Sequence, residues 1–246
     1  MMQRDVHLTA QGLLDSLQFK PGDFGDVALV SGQPQRAAAC LNFLENPVKN
    51  FTFFGYSFWT GTYKGKKVTV GNGGYYAPDT AFVTELLCEG GIKTLIRLGS
   101  CGALREDIGI GDLIIADASL RGDGVTSYYV DDSFLGEADS VLTQELMDLS
   151  SAQVKTHRGP IWTTDALFKE TKEVINPFIE KGAIAVDMVT NPFFTIANIK
   201  NVEVGAILSV SDNIITGELG FSNINFFDSQ KKMIEIVFGL VDKVSV

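Results

Sequence analysis

The chain has 246 residues, of which 45% are hydrophobic and 20% charged, and its 30 acidic residues outnumber its 20 basic ones, giving a net charge of −10. The length suits one α/β domain over residues 1–246, whose core needs no disulfide or structural metal. The acidic balance argues against a nucleic acid or an anionic membrane as the main partner, because both favour a basic surface. No apolar run approaches the ~20 residues of a membrane span.

The N-terminal residues and the cysteines predict a cytoplasmic location. Residues 1–7 lack the apolar segment of a signal peptide, so we expect the mature protein to begin here. The cysteines are odd in number and lack metal-ligand spacing, which favours reduced, buried thiols. They are Cys40, Cys88 and Cys101. Because the two histidines, His7 and His157, lie apart from any cysteine, we expect no metal site.

Short apolar runs rich in β-branched residues alternate with helical patterns along the chain. Near-continuous runs of this kind are typical of strands covered by helices on both faces. In chain order, strands are predicted at 27–30, 68–70, 94–98, 113–116, 184–186 and 204–210, and helices at 79–89, 138–149 and 226–244. In the second of these helices, Val141, Leu142, Leu146 and Leu149 are predicted to form the buried face.

Residues 51–63 with 66–71 have a different pattern and predict an antiparallel hairpin. The aromatic residues at 51–59 are explained equally well as an interface patch and as the core of this hairpin. The order of elements predicts a single α/β domain with a central mixed, largely parallel sheet flanked by helices. Ligands of such sheets bind beyond the carboxyl ends of the strands. The segments of interest are 31–36, 71–80, 99–103, 163–168, 187–191 and 211–216.

Two of these segments contain or closely follow a cation. Arg36 lies near the predicted helix start after the first strand, where free backbone amides favour an anion, and Gly32 permits close approach of a ligand. Arg97 lies within the third predicted strand and precedes a Gly-Ser-Cys-Gly segment interpreted as a turn. An arginine there either pairs with a buried carboxylate or, with Ser100 and nearby amides, binds a phosphate.

Two further segments carry carboxylates. Asp212 follows the sixth predicted strand and is interpreted either as a general acid or as a turn residue. Asp187 and Met188 follow the fifth, where Met188 is expected to pack into the core. The glycine-rich stretch at 71–76 has neither dinucleotide-binding spacing nor a P-loop lysine.

Together, the order and spacing of the segments resemble the nucleoside phosphorylases of the trimeric and hexameric type, which include bacterial-type purine nucleoside phosphorylase and uridine phosphorylase. The resemblance covers nearly the whole chain, and the segment at 96–103 is the most similar to the family. The matching segments are 5–8, 31–36, 60–67, 96–103, 109–112, 164–168 and 208–213.

The resemblance implies roles for individual residues. It implies that inorganic phosphate, as co-substrate with no further cofactor, binds Gly32, Arg36, Arg97 and Ser100. Asp212 would protonate the leaving purine. The ribose and base would contact Met188, Asp187, Gly102, Phe168 and His7, the last lent by a neighbouring subunit of a homo-oligomer built from dimers, with a hexamer as one form.

The sequence also departs from the family pattern. Val189 stands where the family has a glutamate that holds the ribose hydroxyls, and such an acceptor supplies roughly 3–4 kcal/mol. Residues 213–230 contain no Arg or Lys to assist the acid. Three hypotheses follow: phosphorolysis of a nucleoside, with purines favoured over uridine; a catalytically impaired relative that binds nucleoside or nucleobase; and a nucleoside hydrolase.

Overall fold

The structure, a computed structural model, describes residues 7–244. The segment on which the predicted start of the mature protein depends lies outside them, apart from His7. The helices are α1 (Ala10–Ser16), α2 (Pro34–Leu41), α3 (Ala77–Glu89), α4 (Ser140–Ser151), α5 (Lys172–Glu180), α6 (Thr190–Ile199) and α7 (Ile224–Lys243). The strands are β1 (Val27–Ser31), β2 (Glu45–Phe53), β3 (Tyr56–Tyr63), β4 (Lys66–Asn72), β5 (Thr94–Ala103), β6 (Leu113–Leu120), β7 (Gly136–Glu137), β8 (Thr156–Thr163), β9 (Ala185–Asp187), β10 (Glu203–Asn213) and β11 (Glu218–Leu219).

The strands of the described residues belong to one mixed sheet, in the order β11-β10-β6-β8-β9-β5-β1-β4-β3-β2, with β7 beside β6. A further pairing of β10 with β5 closes the strands β10, β6, β8, β9 and β5 into a ring. Strand β5 is therefore paired with β1, β9 and β10. The predicted α/β fold, with a mixed sheet flanked by helices, is confirmed.

The central strands are longer than their apolar runs. The predicted strand at 94–98 continues to Ala103, and the one at 204–210 continues to Asn213. The Gly-Ser-Cys-Gly segment is therefore strand and not the turn that its glycines predicted. It stays extended because its backbone pairs with β10 on one side, from Gly99 opposite Leu208 to Gly102 opposite Asp212, with one register shift between Val210 and Asp212.

The core lies on both faces of the sheet because alternate strand residues point to opposite sides. In β1, Val27 and Leu29 join the apolar cluster that includes residues of α2, α4 and α7, whereas Ala28 and Val30 join the cluster of α1, α3 and α6. The apolar runs of such strands are nearly continuous because helices cover both faces of the sheet. The cysteines are buried or half-buried and free.

The hairpin aromatics belong mainly to the core. Phe51 and Phe58 are buried and pack against Phe19 and Phe24, whereas Phe54, in the turn between β2 and β3, is 82% exposed. Core packing thus explains this segment better than an interface patch does. Among the described residues, no helix is both long and apolar enough to cross a membrane.

Helix α4 tests how the sequence pattern translates into burial. Leu142 and Leu146 are buried as predicted, but Val141 is 68% exposed. The helix begins at Ser140, capped by Asp139, whose carboxylate accepts hydrogen bonds from the backbone N–H groups of Val141 and Leu142. The cap fixes the start of the first turn, and Val141 falls on its outer side.

We predict that Leu146→Ala destabilises the fold by about 2–5 kcal/mol, because it opens a cavity in the core under α4. Val141→Ala, on the exposed side of the same helix, is the control and changes stability by less than about 0.5 kcal/mol. Urea unfolding of both variants measures the difference. Equal losses in the two variants would contradict the burial of this helix.

Candidate active site

A cavity of about 250 Å³ opens beyond the carboxyl ends of β1, β5, β9 and β10, at the edge of the sheet where a ligand was expected. A larger cavity, of about 880 Å³, lies beside α1 and α3. It is lined by none of the residues predicted to form the site. The smaller cavity is therefore the candidate site.

Arg36, on α2, supplies one of two buried guanidinium groups in this cavity. Its Nη1 donates to the Leu98 carbonyl at 2.8 Å and to the Ser31 hydroxyl, and its Nη2 donates to Ser100 Oγ at 2.8 Å and Gln230 Oε1 at 2.9 Å. All four acceptors are neutral, so no carboxylate among them offsets the charge of Arg36.

Arg97, on β5, supplies the second guanidinium, and it is 7% exposed. Its Nη2 lies 3.3 Å from Oδ2 of Asp187, which confirms the buried pairing that the sequence left as one alternative. Its Nη1 is buried with no hydrogen-bond partner among residues 7–244. A Cβ on Gly99 would lie 1.9 Å from that atom, so glycine at this position makes room for the guanidinium.

The two arginines give this end of the cavity a positive charge. Burial and the neighbouring Arg97 lower the pKa of Arg36 to about 10, so Arg36 stays charged at neutral pH. Burial also lowers the pKa of Arg97, and the carboxylate of Asp187 opposes that effect. Because Asp187 offsets only one of the two charges, an anion that reaches both guanidinium groups is favoured electrostatically.

The carboxylate of Asp187 is engaged within the chain. It accepts hydrogen bonds from Thr163 Oγ1 at 2.9 Å, from the backbone N–H groups of Val189 and Thr190, and from Thr190 Oγ1 at 2.6 Å. With Arg97, these partners use both oxygens. The geometry therefore assigns Asp187 to holding Arg97 and the first turn of α6, rather than to the ligand contact that was predicted.

Asp212 also lines the cavity and directly follows a bulge in β10. Val210 pairs with Cys101 and Asp212 pairs with Gly102, so Ser211 is an extra residue in this strand. The Ser211 hydroxyl donates to Asp212 Oδ1 at 2.7 Å. A Cβ on Gly102 would lie 2.9 Å from Asp212 Oδ2, so a larger residue there would crowd the carboxylate.

The cavity brings together most of the predicted residues. Gly32, Ser100 and Gly102 line it with the two arginines and Asp212. Met188 lines it as well and is half-buried, which corrects the expectation that it packs into the core. The wall beside Met188 is apolar and includes Val186 and Val189, the latter 1% exposed.

Two predicted residues lie elsewhere. Phe168 is 95% exposed and does not line the cavity, because the short 3-10 helix Leu167–Lys169 directs Leu167 inward instead. His7 is exposed and also lies outside the cavity of its own chain. Of this segment, Leu167 and not Phe168 lines the cavity of the same chain.

Two polar residues of the site were not predicted. Gln230, on α7, binds Arg36, and Glu170 lines the cavity just after the 3-10 helix. Burial and the charge of Asp212 raise the pKa of Glu170 to about 7. Glu170 lies in an irregular segment, where periodicity gives no indication of which side chains face a cavity.

Among the described residues, no three His, Cys, Asp or Glu side chains group in a way that would hold a metal ion. The polar groups of the cavity are guanidinium, hydroxyl, carboxyl and backbone amide. Their arrangement suits an anion at one end and proton transfer at the other.

Known proteins resemble the chain in both sequence and fold. Residues 26–243 match the family described as the phosphorylase superfamily. A purine nucleoside phosphorylase DeoD-type 2 of Vibrio vulnificus is 33% identical over 206 residues, covering 81% of this chain and 86% of the relative. A purine nucleoside phosphorylase DeoD-type of Bacillus cereus is 31% identical, covering 82% of this chain and 88% of the relative.

The solved structure of uridine phosphorylase from Vibrio fischeri ES114 has a similar fold, with a TM-score of 0.82 and 23% identity over 93% of this chain and 96% of that one. The family match spans the strands and helices that build the cavity, from β1 to α7. The resemblance predicted from the sequence is confirmed. The chain belongs to the phosphorylase superfamily.

Proposed function

We propose that this protein catalyses the phosphorolysis of a nucleoside, giving the free base and a pentose 1-phosphate. The observation that carries the proposal is the division of charge in one cavity. Two buried guanidinium groups, from Arg36 and Arg97, line it; Asp187 pairs with Arg97 alone, and Asp212 lines the same cavity. The relatives named as purine nucleoside phosphorylases support it.

Inorganic phosphate is the anion that fits the positive end and acts as co-substrate. Arg36 and Arg97 would bind it through charge-assisted hydrogen bonds, with Arg97 Nη1 a free donor, and Ser100 and the backbone at Gly32 would complete the site. A phosphate held there lies against the sugar carbon that loses the base. It stabilises the cationic character of the sugar in the transition state and then bonds to that carbon.

Asp212 would act on the leaving group. A purine leaves poorly as an anion, and protonation of a ring nitrogen allows it to leave neutral. The carboxyl of Asp212, which follows the bulge at Ser211, lines the same cavity as the two arginines. We favour a purine over uridine because the chain retains Asp212 and lacks, between Phe168 and Asp187, the insertion found in uridine phosphorylases.

The sugar would lie between these ends, against Met188 and Val189. This wall is the specific feature that favours a second candidate function, a relative that binds nucleoside with little turnover. Val189 offers no acceptor for the sugar hydroxyls, and the oxygens of Asp187 already have partners within the chain. The retained arginines and Asp212 favour turnover over binding alone.

We further propose that the protein is a homo-oligomer. Large apolar side chains that line the cavity are exposed in the single chain, Phe221 at 61% and Leu167 at 52%, and Phe168, next to Leu167 in sequence, is 95% exposed. A neighbouring subunit that covers them would shield the site from water. The same arrangement would let His7 reach the cavity of a neighbour, as the resemblance implies.

We predict that release of base from inosine or adenosine requires phosphate, and that Arg36→Gln raises the KM for phosphate by about 10–100-fold. The expected size follows from the loss of charge-assisted hydrogen bonds of about 1.5–3 kcal/mol. Arg105→Gln is the matched control, since Arg105 is exposed and pairs with Asp107. Steady-state kinetics with and without phosphate, with uridine as a third substrate, gives the measurement.

Three other outcomes are distinguishable. Release of base that is independent of phosphate would replace phosphorolysis with hydrolysis. Binding by calorimetry with no cleavage of any nucleoside would support the second candidate function. Faster cleavage of uridine than of either purine nucleoside would contradict the preference for purines.

We predict that Asp212→Asn lowers kcat for a purine nucleoside by about 10²–10⁴-fold, because the amide cannot supply the proton. Phosphate affinity should stay unchanged, since the variant leaves both arginines intact. Glu218→Gln, on the adjacent strand β11 and exposed, is the control. Turnover in Asp212→Asn equal to that of the parent would show that Asp212 is not the acid.

We predict that Val189→Glu raises kcat/KM for ribonucleosides, by up to about 10²–10³-fold, because it adds an acceptor for the 2′- and 3′-hydroxyls. A 2′,3′-dideoxynucleoside lacks both hydroxyls and should gain nothing, so the ratio of the two substrates is the readout. Val189→Leu controls for the change in volume. An unchanged ratio would mean that the ribose is held by other groups.

A further inference from the structure

A second carboxyl group lies in the cavity with Asp212. Glu170 is half-buried and lines the same space of about 250 Å³, although it comes from the segment after β8 and Asp212 comes from β10. The 3-10 helix Leu167–Lys169 ends immediately before Glu170 and carries it to the opening between the two strands. Two segments from different parts of the chain thus place two carboxyl groups in one cavity.

No cation neutralises this pair. Within the described part of the chain, Glu170 has no ion-pair or side-chain hydrogen-bond partner, whereas the Asp212 carboxylate accepts only from Ser211. The two arginines are held elsewhere, Arg97 by Asp187 and Arg36 by four neutral oxygens. The charged and titratable groups that line the cavity are Glu170, Asp212, Asp187, Arg36, Arg97, Cys101 and Tyr75.

Two carboxyl groups in such surroundings do not both ionise readily, because each charge is only partly solvated and repels the other. Burial, followed by the charge of Asp212, raises the pKa of Glu170 to about 7. Burial raises the pKa of the Cys101 thiol well above its ordinary value, and Asp187 and Asp212 add to that effect, so the thiol adds no charge at neutral pH. With a pKa of about 7, Glu170 holds a proton in a large fraction of molecules near neutrality.

We propose that Glu170 and Asp212 form a proton-sharing pair, in which Glu170 keeps a proton available for Asp212 to deliver to the leaving base. The proposal rests on the proposed phosphorolysis and adds a partner for its acid. It also supplies a proton source in a chain that has no Arg or Lys between residues 213 and 230 to assist the acid.

Bonds and protons balance in the proposed step. The C–N bond breaks with its electron pair going to the base, a phosphate oxygen forms a bond to the sugar carbon, and the Asp212 hydroxyl gives its proton to a ring nitrogen. That proton reaches Asp212 from Glu170, which is left as a carboxylate, and the pair regains one proton from solvent after the base has left. Hydrogenphosphate releases its own proton to solvent, so the total is conserved.

The first test is the pH profile of kcat/KM for inosine in Glu170→Gln. Glu170 loses its proton as the pH rises through its pKa of about 7, so kcat/KM of the parent should fall over this range. Glu170→Gln lacks this proton source, so its profile should lack that fall, with about a tenfold deficit at pH 6 that shrinks at higher pH. Glu170→Asp keeps a shareable proton and should retain most of the activity. Glu173→Gln, on α5 and exposed, is the control.

Phosphate itself titrates in this pH range, but it does so equally in assays of every variant. The difference between two pH profiles therefore does not contain the titration of phosphate. A Glu170→Gln profile that coincides with that of the parent would overturn the proposal. A loss of equal size at every pH would also overturn it, because it would show that Glu170 supports the structure and not the proton.

The second test needs no turnover. Infrared difference spectra of the parent should show a protonated carboxyl group that ionises near pH 7, that is absent in Glu170→Gln, and that ionises at lower pH in Asp212→Asn. An unchanged titration in Asp212→Asn would show that the two groups are independent. If the parent cleaves no nucleoside, the proposed function fails, and this measurement still decides whether the pair exists.

Discussion

The ion pair between Arg97 and Asp187 is the interaction on which the site depends. An unpaired guanidinium inside the central strand β5 would be costly to bury, and breaking such a pair typically costs about 3–5 kcal/mol. The partner carboxylate ends β9 and also binds the backbone amides that begin α6. One pair of charges therefore connects the ring of strands to the helix that carries Val189, and it fixes one face of the cavity.

The same pair decides how charge is distributed. Asp187 balances one arginine, Arg36 remains unbalanced, and the two remaining carboxyl groups lie on the other side of the cavity. A chain with a net charge of −10 thus contains a small positive site without a basic surface. The surface charge and the charge of the anion site have opposite signs. The surface charge acts while the ligand approaches, and the charge of the site stabilises the bound state.

Much of the fold followed from the sequence, because strands covered on both faces have near-continuous apolar runs. Arg97 was also found, since a charge in such a run needs a partner or a ligand. The Gly99–Gly102 segment was misread because glycines that make room for a guanidinium and a carboxylate look like turn residues. Glu170 and Leu167 lie in an irregular loop. Neither the spacing of apolar residues nor secondary-structure propensity specifies which side chains of such a loop face a cavity.

The bulge at Ser211 was equally invisible in the sequence, and it has a consequence for how the chain can vary. Deleting Ser211 would leave Val210 and Asp212 adjacent and still opposite Cys101 and Gly102, so the strand would regain its regular alternation. Asp212 would lose the hydroxyl that donates a hydrogen bond to its carboxylate. The extra residue thus supplies the acid with a local hydrogen-bond donor, and the pairing with Gly102 sets its place in the strand.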